Sequence, residues 1–133
     1  MNATRGSCVC GAVQFTLEGE ALAFQYCHCS RCRKGSGSAH CANLFLKPEG
    51  LEFQAGEELI RRFDLPDAKY WSHAFCTVCG SPAPVLSRTG RAWMVPAGAL
   101  DDDPGVQPTR NIFVSSGAPW FVPTHELPEH DQS

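Results

Sequence analysis

Hydrophobic and polar residues alternate with a period of two along much of this chain, the signature of half-buried strands. From Gly11 to Leu17, Val13, Phe15 and Leu17 fall on one face, and Ala12, Gln14 and Thr16 on the other. Ala23 to Tyr26 predicts a short second strand, and Ala39 to Leu46 a third, ended by Pro48 and Gly50. Leu51 to Gln54 and Leu59 to Phe63 read as the arms of a hairpin whose turn holds Gly56. Tyr70 to Cys76 alternates again and brings Trp71, His73 and Phe75 to one side. Val85–Leu86 and Ala92 to Val95 flank Arg88-Thr89-Gly90, a second hairpin signal, and Asn111 to Ser115 is the last predicted strand. Helical periodicity is nearly absent. A turn or two starting near Ser30, with Ser30 as N-cap, is the one helix expected. Trp71, Phe75 and Trp120 are read as core residues.

Ten prolines and twelve glycines at short intervals suit brief strands and turns, not a helical bundle. The fold expected is therefore mainly β: several small twisted antiparallel sheets and hairpins, with at most one or two short helical turns. A chain of 133 residues is long enough to bury roughly two-thirds of its unfolded surface. One domain is expected over residues 1–122, followed by a frayed tail over 123–133. A formal charge of −3 supplies no basic face for nucleic acid and no polybasic contact for a membrane. No apolar run approaches the ~20 residues of a spanning helix. Met1 to Phe15 does not read as a secretory signal, so the expectation is a soluble, cytoplasmic protein. Oligomeric state has no signature here.

Eight cysteines change the picture. They could form a disulfide framework or hold metal. Two cysteines one residue apart make a strained disulfide, whereas both thiolates can face one ion, so metal is the reading adopted. Seven fall into three groups: Cys8-Val9-Cys10, Cys27-His28-Cys29-Ser30-Arg31-Cys32 and Cys76-Thr77-Val78-Cys79. Cys76 and Cys79, followed by Gly80, form a knuckle, and Cys10-Gly11 repeats it with tighter spacing. Pairing the first and last groups yields Cys8, Cys10, Cys76 and Cys79, the closed tetrahedral set of a structural Zn2+. The middle group leaves Cys27, Cys29 and Cys32, three ligands and an open position, the pattern of a catalytic Zn2+. Cys41, His28 or His40 could close that second site.

These clusters and their surroundings resemble the glutathione-dependent formaldehyde-activating enzyme family. The matching pieces are Gly6-Ser7-Cys8-Val9-Cys10-Gly11-Ala12-Val13, Cys27-His28-Cys29-Ser30-Arg31-Cys32-Arg33-Lys34 with Gly37-Ser38, and Phe75-Cys76-Thr77-Val78-Cys79-Gly80-Ser81-Pro82. Asn111-Ile112-Phe113-Val114 and Pro119-Trp120 complete the likeness, which runs from Arg5 to Val122. It implies a fold similar to methionine sulfoxide reductase B, with two Zn2+ divided between the same four and three cysteines. Cys41 lies outside the family's motif. The family also takes in centromere protein V, a microtubule binder, but this acidic chain has no basic extension to grip an acidic filament.

The activity implied is that of a carbon–sulfur lyase acting on an adduct of a thiol such as glutathione with formaldehyde or another small aldehyde. Three thiolates on Zn2+ suit a soft sulfur ligand, whose proton is lost on binding. Arg31, Arg33 and Lys34 are candidates for a substrate carboxylate, or else balance the charge of the metal sites. His28 is read as a hydrogen-bonded structural residue or a proton shuttle, Gly35 to Ser38 as a turn, and Asp101-Asp102-Asp103 as a solvated turn. Two readings of other classes stand beside the enzyme. One is a zinc-stabilised module that binds a protein partner; the other is a thiol redox sensor that releases zinc on oxidation of Cys27, Cys29 and Cys32.

Overall fold

The computed structural model describes residues 3–133. Its ten short strands are β1 (Thr4–Ser7), β2 (Gln14–Leu17), β3 (Ala23–Cys27), β4 (Cys41–Leu46), β5 (Leu51–Ala55), β6 (Ile60–Asp64), β7 (Ser72–Cys76), β8 (Val85–Leu86), β9 (Trp93–Pro96) and β10 (Arg110–Ile112). One α-helix, α1 (Ser30–Ser36), joins β3 to β4. The fold is mainly β, as the alternation predicts. No helix among the described residues is long and apolar enough to cross a membrane.

Three sheets form: β1-β2-β5, β10-β3-β4-β9-β8 and the ribbon β6-β7. The alternating face of β2 goes inward, leaving Val13, Phe15 and Leu17 almost without solvent contact. Phe24, Leu44, Leu46 and Val95 of the five-stranded sheet join them in one core, which also takes in Cys8 and Cys76. Burial of each such large side chain contributes about 1.5–3 kcal/mol. A small second cluster, Ala74, Ala83 and Val85, lies beside the ribbon.

Several local expectations need correction. Leu51 to Gln54 and Leu59 to Phe63 do not pair with one another. β5 adds to β2, while β6 pairs with β7. Between them Gly56 and a 3-10 turn at Glu57–Leu59 carry the chain from one sheet to the other. Alternation marks a strand but not its partner, and here each arm finds a better-matched edge elsewhere. The last predicted strand is shorter, Arg110–Ile112, and pairs parallel to β3, so the sheets are not all antiparallel. Phe113, at φ 54, then turns the chain into a 3-10 segment. The N-cap of α1 is Cys29, one residue before Ser30, because its sulfur accepts the Cys32 N–H at 3.3 Å. Trp120 is 66% exposed and no part of the core.

Candidate metal and thiol centres

The first group of thiols is built by two turns at the ends of strands. Between β1 and β2 the Gly11 N–H donates to Cys8 O and the Cys8 N–H to Val13 O, curling Cys8 and Cys10 toward each other. After β7 the Gly80 N–H donates to Cys76 O at 2.7 Å. Gly11 and Gly80 sit at φ 80 and 78, a region where a side chain would be strained. The result brings Cys8, Cys10, Cys76 and Cys79 sulfurs within 4.8 Å of one another.

The spacing fits a metal. Zn–S bonds of about 2.3 Å in a tetrahedron imply sulfur–sulfur edges of about 3.8 Å. Cys8 and Cys10 stand 3.5 Å apart, and Cys10 and Cys76 3.9 Å. A disulfide needs about 2.05 Å, and all eight cysteines are free. Backbone and hydroxyl donors support the sulfurs. The Val13 N–H donates to Cys8 Sγ at 3.3 Å. Ser81 Oγ accepts the Val9 N–H at 3.0 Å and the Cys79 S–H at 3.2 Å; when that thiol ionises, the Ser81 hydroxyl can turn its own proton to the sulfur. The Ser81 hydroxyl and N–H hold the Cys79 thiol down at about 5. The Ala12 N–H draws Cys10 down, but the crowding of Cys8, Cys79 and Cys76 outweighs it and lifts this thiol to about 11.

The second group depends on strand register. Cys27 ends β3, Cys41 begins β4, and the two are direct partners across the antiparallel ladder. Such pairs hold their Cβ atoms about 4.5–5.5 Å apart. The first turn of α1 then delivers Cys32, and Cys27, Cys32 and Cys41 have their sulfurs within 4.8 Å of one another. Cys29 stands just outside this triplet, at the helix cap. Its sulfur faces the first turn of the helix, where it accepts the Cys32 N–H at 3.3 Å. Burial pushes the Cys27 thiol up to about 12. Contact with Cys41 raises Cys32, and the same contact lowers Cys41. Asn43 Nδ2 also donates to Cys41 Sγ at 3.2 Å. Cys41 therefore belongs to the centre although it lies outside the cysteine-rich motif; the sequence placed it on a predicted strand, Ala39 to Leu46, and the pairing with Cys27 is what the fold adds.

The two histidines of this region are engaged by the protein. His28 is buried, with Nε2 2.9 Å from Asn111 Oδ1. His40 Nδ1 donates to Cys41 O at 3.1 Å, and its ring stacks on Tyr26 with centroids 4.3 Å apart. Phe121 packs edge-on against both rings.

Cys32 and Cys41 open onto a cavity of about 250 Å³, whose other walls include His40, Trp71, His73 and Met94. No Asp, Glu, Lys or Arg among the described residues lines it; Arg31, Arg33 and Lys34 lie elsewhere. The Gly35 to Ser38 turn is occupied with its own cap, the Gly37 N–H donating to Arg33 O at 2.8 Å. The three aspartates are a strap. Asp102 receives the Arg5 guanidinium and N–H at 3.0 Å, Asp101 accepts from Ser7 Oγ at 2.7 Å, and Asp103 accepts the Gly105 N–H at 2.8 Å. The Arg5 partner holds the Asp102 carboxyl down at about 2.

Comparison with known proteins points the same way as the cysteines. The family model described as glutathione-dependent formaldehyde-activating enzyme matches residues 3–116. A Rhodobacter sphaeroides protein of known crystal structure is similar in fold, with a TM-score of 0.62 at 23% identity over 80% of this chain and 98% of that one. No match was found among the curated proteins.

Proposed function

Since the chain belongs to the glutathione-dependent formaldehyde-activating enzyme family, we propose that it is a zinc-dependent carbon–sulfur lyase acting on an S-hydroxymethyl thiol adduct such as that of glutathione with formaldehyde. In the direction of cleavage the C–S bond breaks with its electron pair on sulfur, the hydroxyl loses its proton, and the aldehyde carbonyl forms. The observation that carries this reading is the second thiol centre on the wall of a cavity. Cys8, Cys10, Cys76 and Cys79 hold one Zn2+ as a structural ion. Cys27 and Cys32 would hold the other, with Cys29 at the helix cap as the third thiolate and Cys41 within reach of the same ion. Zinc bound there supplies a soft Lewis acid that lowers the pKa of a substrate thiol.

The chain's own residues do the rest. The β3–β4 ladder and the cap of α1 preset the sulfurs, so little ordering is left for metal binding to cost. The apolar walls contributed by Ala42, Ala74, Val85 and Met94 limit water around the reacting carbon. With no Lys or Arg on the cavity wall, the carboxylates of a glutathione-like substrate point outward to solvent, away from the reacting centre.

A second reading rests on Cys41. A fourth thiolate at this centre gives a closed four-cysteine site, which favours a zinc-stabilised module that binds a partner. Titrating the cobalt-substituted protein with glutathione, without oxygen, separates the two. A saturable shift of the sulfur-to-cobalt bands at two metals per chain supports the lyase. Two tetrahedral four-sulfur spectra that ignore glutathione would overturn it in favour of the module.

A further inference from the structure

A hydroxymethyl thiol adduct cannot break down without something to take its hydroxyl proton, and the cavity offers few groups for that. The titratable side chains on its walls are Cys32, Cys41, His40 and His73. The two cysteines belong to the thiol centre, and His40 is fixed by its bond to Cys41 O and its stack on Tyr26. Ser72, also on the wall, is committed to Asp64, Arg62 and Arg88. Ser36 holds the turn after α1.

His73 is different. It has no hydrogen-bond partner among the described residues, and burial is what perturbs it. Its ring is clamped by stacking, with Trp71 and Phe75 each 5.9 Å away and interplanar angles of 11° and 23°. Stacking fixes the plane of an imidazole while leaving both nitrogens free at its edge. The helix that carries Cys32 comes directly against this stack. A Cβ on Gly35 would lie 2.9 Å from Trp71 Cζ2 and 3.7 Å from His73 Nδ1, so the close approach exists because residue 35 has no side chain.

Resting on the lyase reading above, we propose that His73 is the general base of the reaction, meeting the hydroxyl of the substrate across the cavity from Cys32 and Cys41. A neutral ring nitrogen takes the O–H proton. The O–H pair becomes the second C–O bond, the C–S pair leaves on sulfur, and the imidazolium then returns its proton to the departing thiolate. The products are one thiol, one aldehyde and neutral His73. In the direction of addition the same imidazolium protonates the alkoxide formed when the thiolate attacks the aldehyde.

The surroundings suit the role. The groups facing His73 from the elements packed on it are Cys32 of α1, His40 and Cys41 at the start of β4, and, on its own ribbon, Phe63 directly opposite and Arg61 opposite Phe75. No carboxylate is among them to hold the imidazolium. Burial moves His73 below its ordinary value of 6.5, so the base form prevails at neutral pH.

The test is two-dimensional exchange NMR of free glutathione and its formaldehyde adduct with the zinc-loaded protein between pH 5 and pH 8. The wild-type catalysed rate of adduct breakdown should rise with pH through one ionisation below 6.5. His73→Gln should keep both metals and the cobalt response to glutathione while losing about 10²–10⁴-fold in catalysed exchange. Added imidazole should restore part of the rate in His73→Ala, which a purely structural role would not allow. A flat wild-type profile overturns the proposal without any variant, as does His73→Gln exchange within about twofold of wild type, far short of the loss a general base carries; both leave the lyase reading standing. A wild-type protein that accelerates no exchange overturns the lyase reading and, with it, this role for His73.

Discussion

Replacing Gly56 by alanine tests whether the first thiol centre depends on a backbone-to-backbone approach. Gly56 sits at φ 78, and a Cβ there would lie 2.2 Å from Ala12 O and 2.8 Å from both Ala12 C and Val13 Cα. Those atoms belong to the chain just beyond Cys10 and cannot rotate aside as a side chain can. The left-handed backbone costs alanine about 1–2 kcal/mol. Overpacking against a fixed wall adds about 1–3 kcal/mol, so Gly56→Ala should lose about 2–5 kcal/mol. For 133 residues, an unfolding entropy of about 2.1 cal/mol/K per residue converts each kcal/mol to about 3–4 °C. The expected fall in Tm is therefore about 7–18 °C. Gly19→Ala is the control: it has φ 93 but nothing within 4 Å of a Cβ, so only the backbone cost of about 1–2 kcal/mol applies. Melts of both variants by circular dichroism at one fixed free-zinc concentration compare them, since bound metal adds to apparent stability. Zinc should also leave Gly56→Ala faster, measured with a chromophoric chelator, because displacing Ala12 displaces Cys10. Equal Tm losses in the two variants would refute the reasoning.

Cys76 is completely buried in the main core. Cys76→Ser should lose the first zinc by mass spectrometry and be largely unfolded at about 25 °C, the second zinc going with the fold, because a site of this kind contributes on the order of 10 kcal/mol against a total of about 5–15; a folded variant with two zincs contradicts the assignment. Arg88 donates to the Ala68, Leu65 and Trp71 carbonyls and holds the loop that carries Trp71. Arg88→Ala should cost about 2–3 kcal/mol in urea unfolding and shift the tryptophan emission. An unchanged midpoint would show that the loop holds itself. In the metal-free protein Cys10 and Cys27 are lifted to about 11 and 12, so both are protonated at neutral pH and must release protons when zinc binds. Affinity should rise with pH and fall about tenfold per displaced proton for each unit of acidification. Calorimetry in buffers of different ionisation enthalpy counts those protons, and a pH-independent affinity would exclude the effect.

The features legible in the sequence were those encoded by near neighbours. Val13, Phe15 and Leu17 alternate because β2 has one buried face, and the period survives in any reading frame that keeps the strand. Trp71, His73 and Phe75 were foreseen on one side of a strand, and they stack there. The thiols of Cys8–Cys10 and Cys76–Cys79 converge through turns of a few residues, so their spacing carries the geometry. What stayed hidden was pairing at long range. Nothing in Leu51 to Gln54 says that its partner is Gln14 to Leu17 rather than the next strand along, and nothing in Arg110 to Ile112 announces a parallel edge. Cys41 is the same case with chemical consequences: its strand was visible, but the register that sets it against Cys27 was not.

The two thiol centres differ in how far the fold depends on them. Cys8 and Cys76 are members of the main hydrophobic cluster, so the first site ties β1–β2 to β7 through the core itself. Cys27 and Cys41 lie at the ends of β3 and β4, where the ladder is already closed by four further partners from Tyr26↔Ala42 back to Ala23↔Phe45. Cys32 is on a seven-residue helix with no buried residue. Losing Cys29, Cys32 or Cys41 at the second site therefore removes little packing, whereas losing Cys8 or Cys76 at the first opens the core. This asymmetry suits the proposed division into a structural site and a catalytic one. It also means that Cys29→Ser and Cys41→Ser variants should stay folded, so metal content and cobalt spectra of the two can be read directly for which sulfur completes the second site. A full second metal equivalent in Cys41→Ser, with the glutathione response intact, would leave Cys27, Cys29 and Cys32 as the ligands. Loss of that metal would make Cys41 one of them.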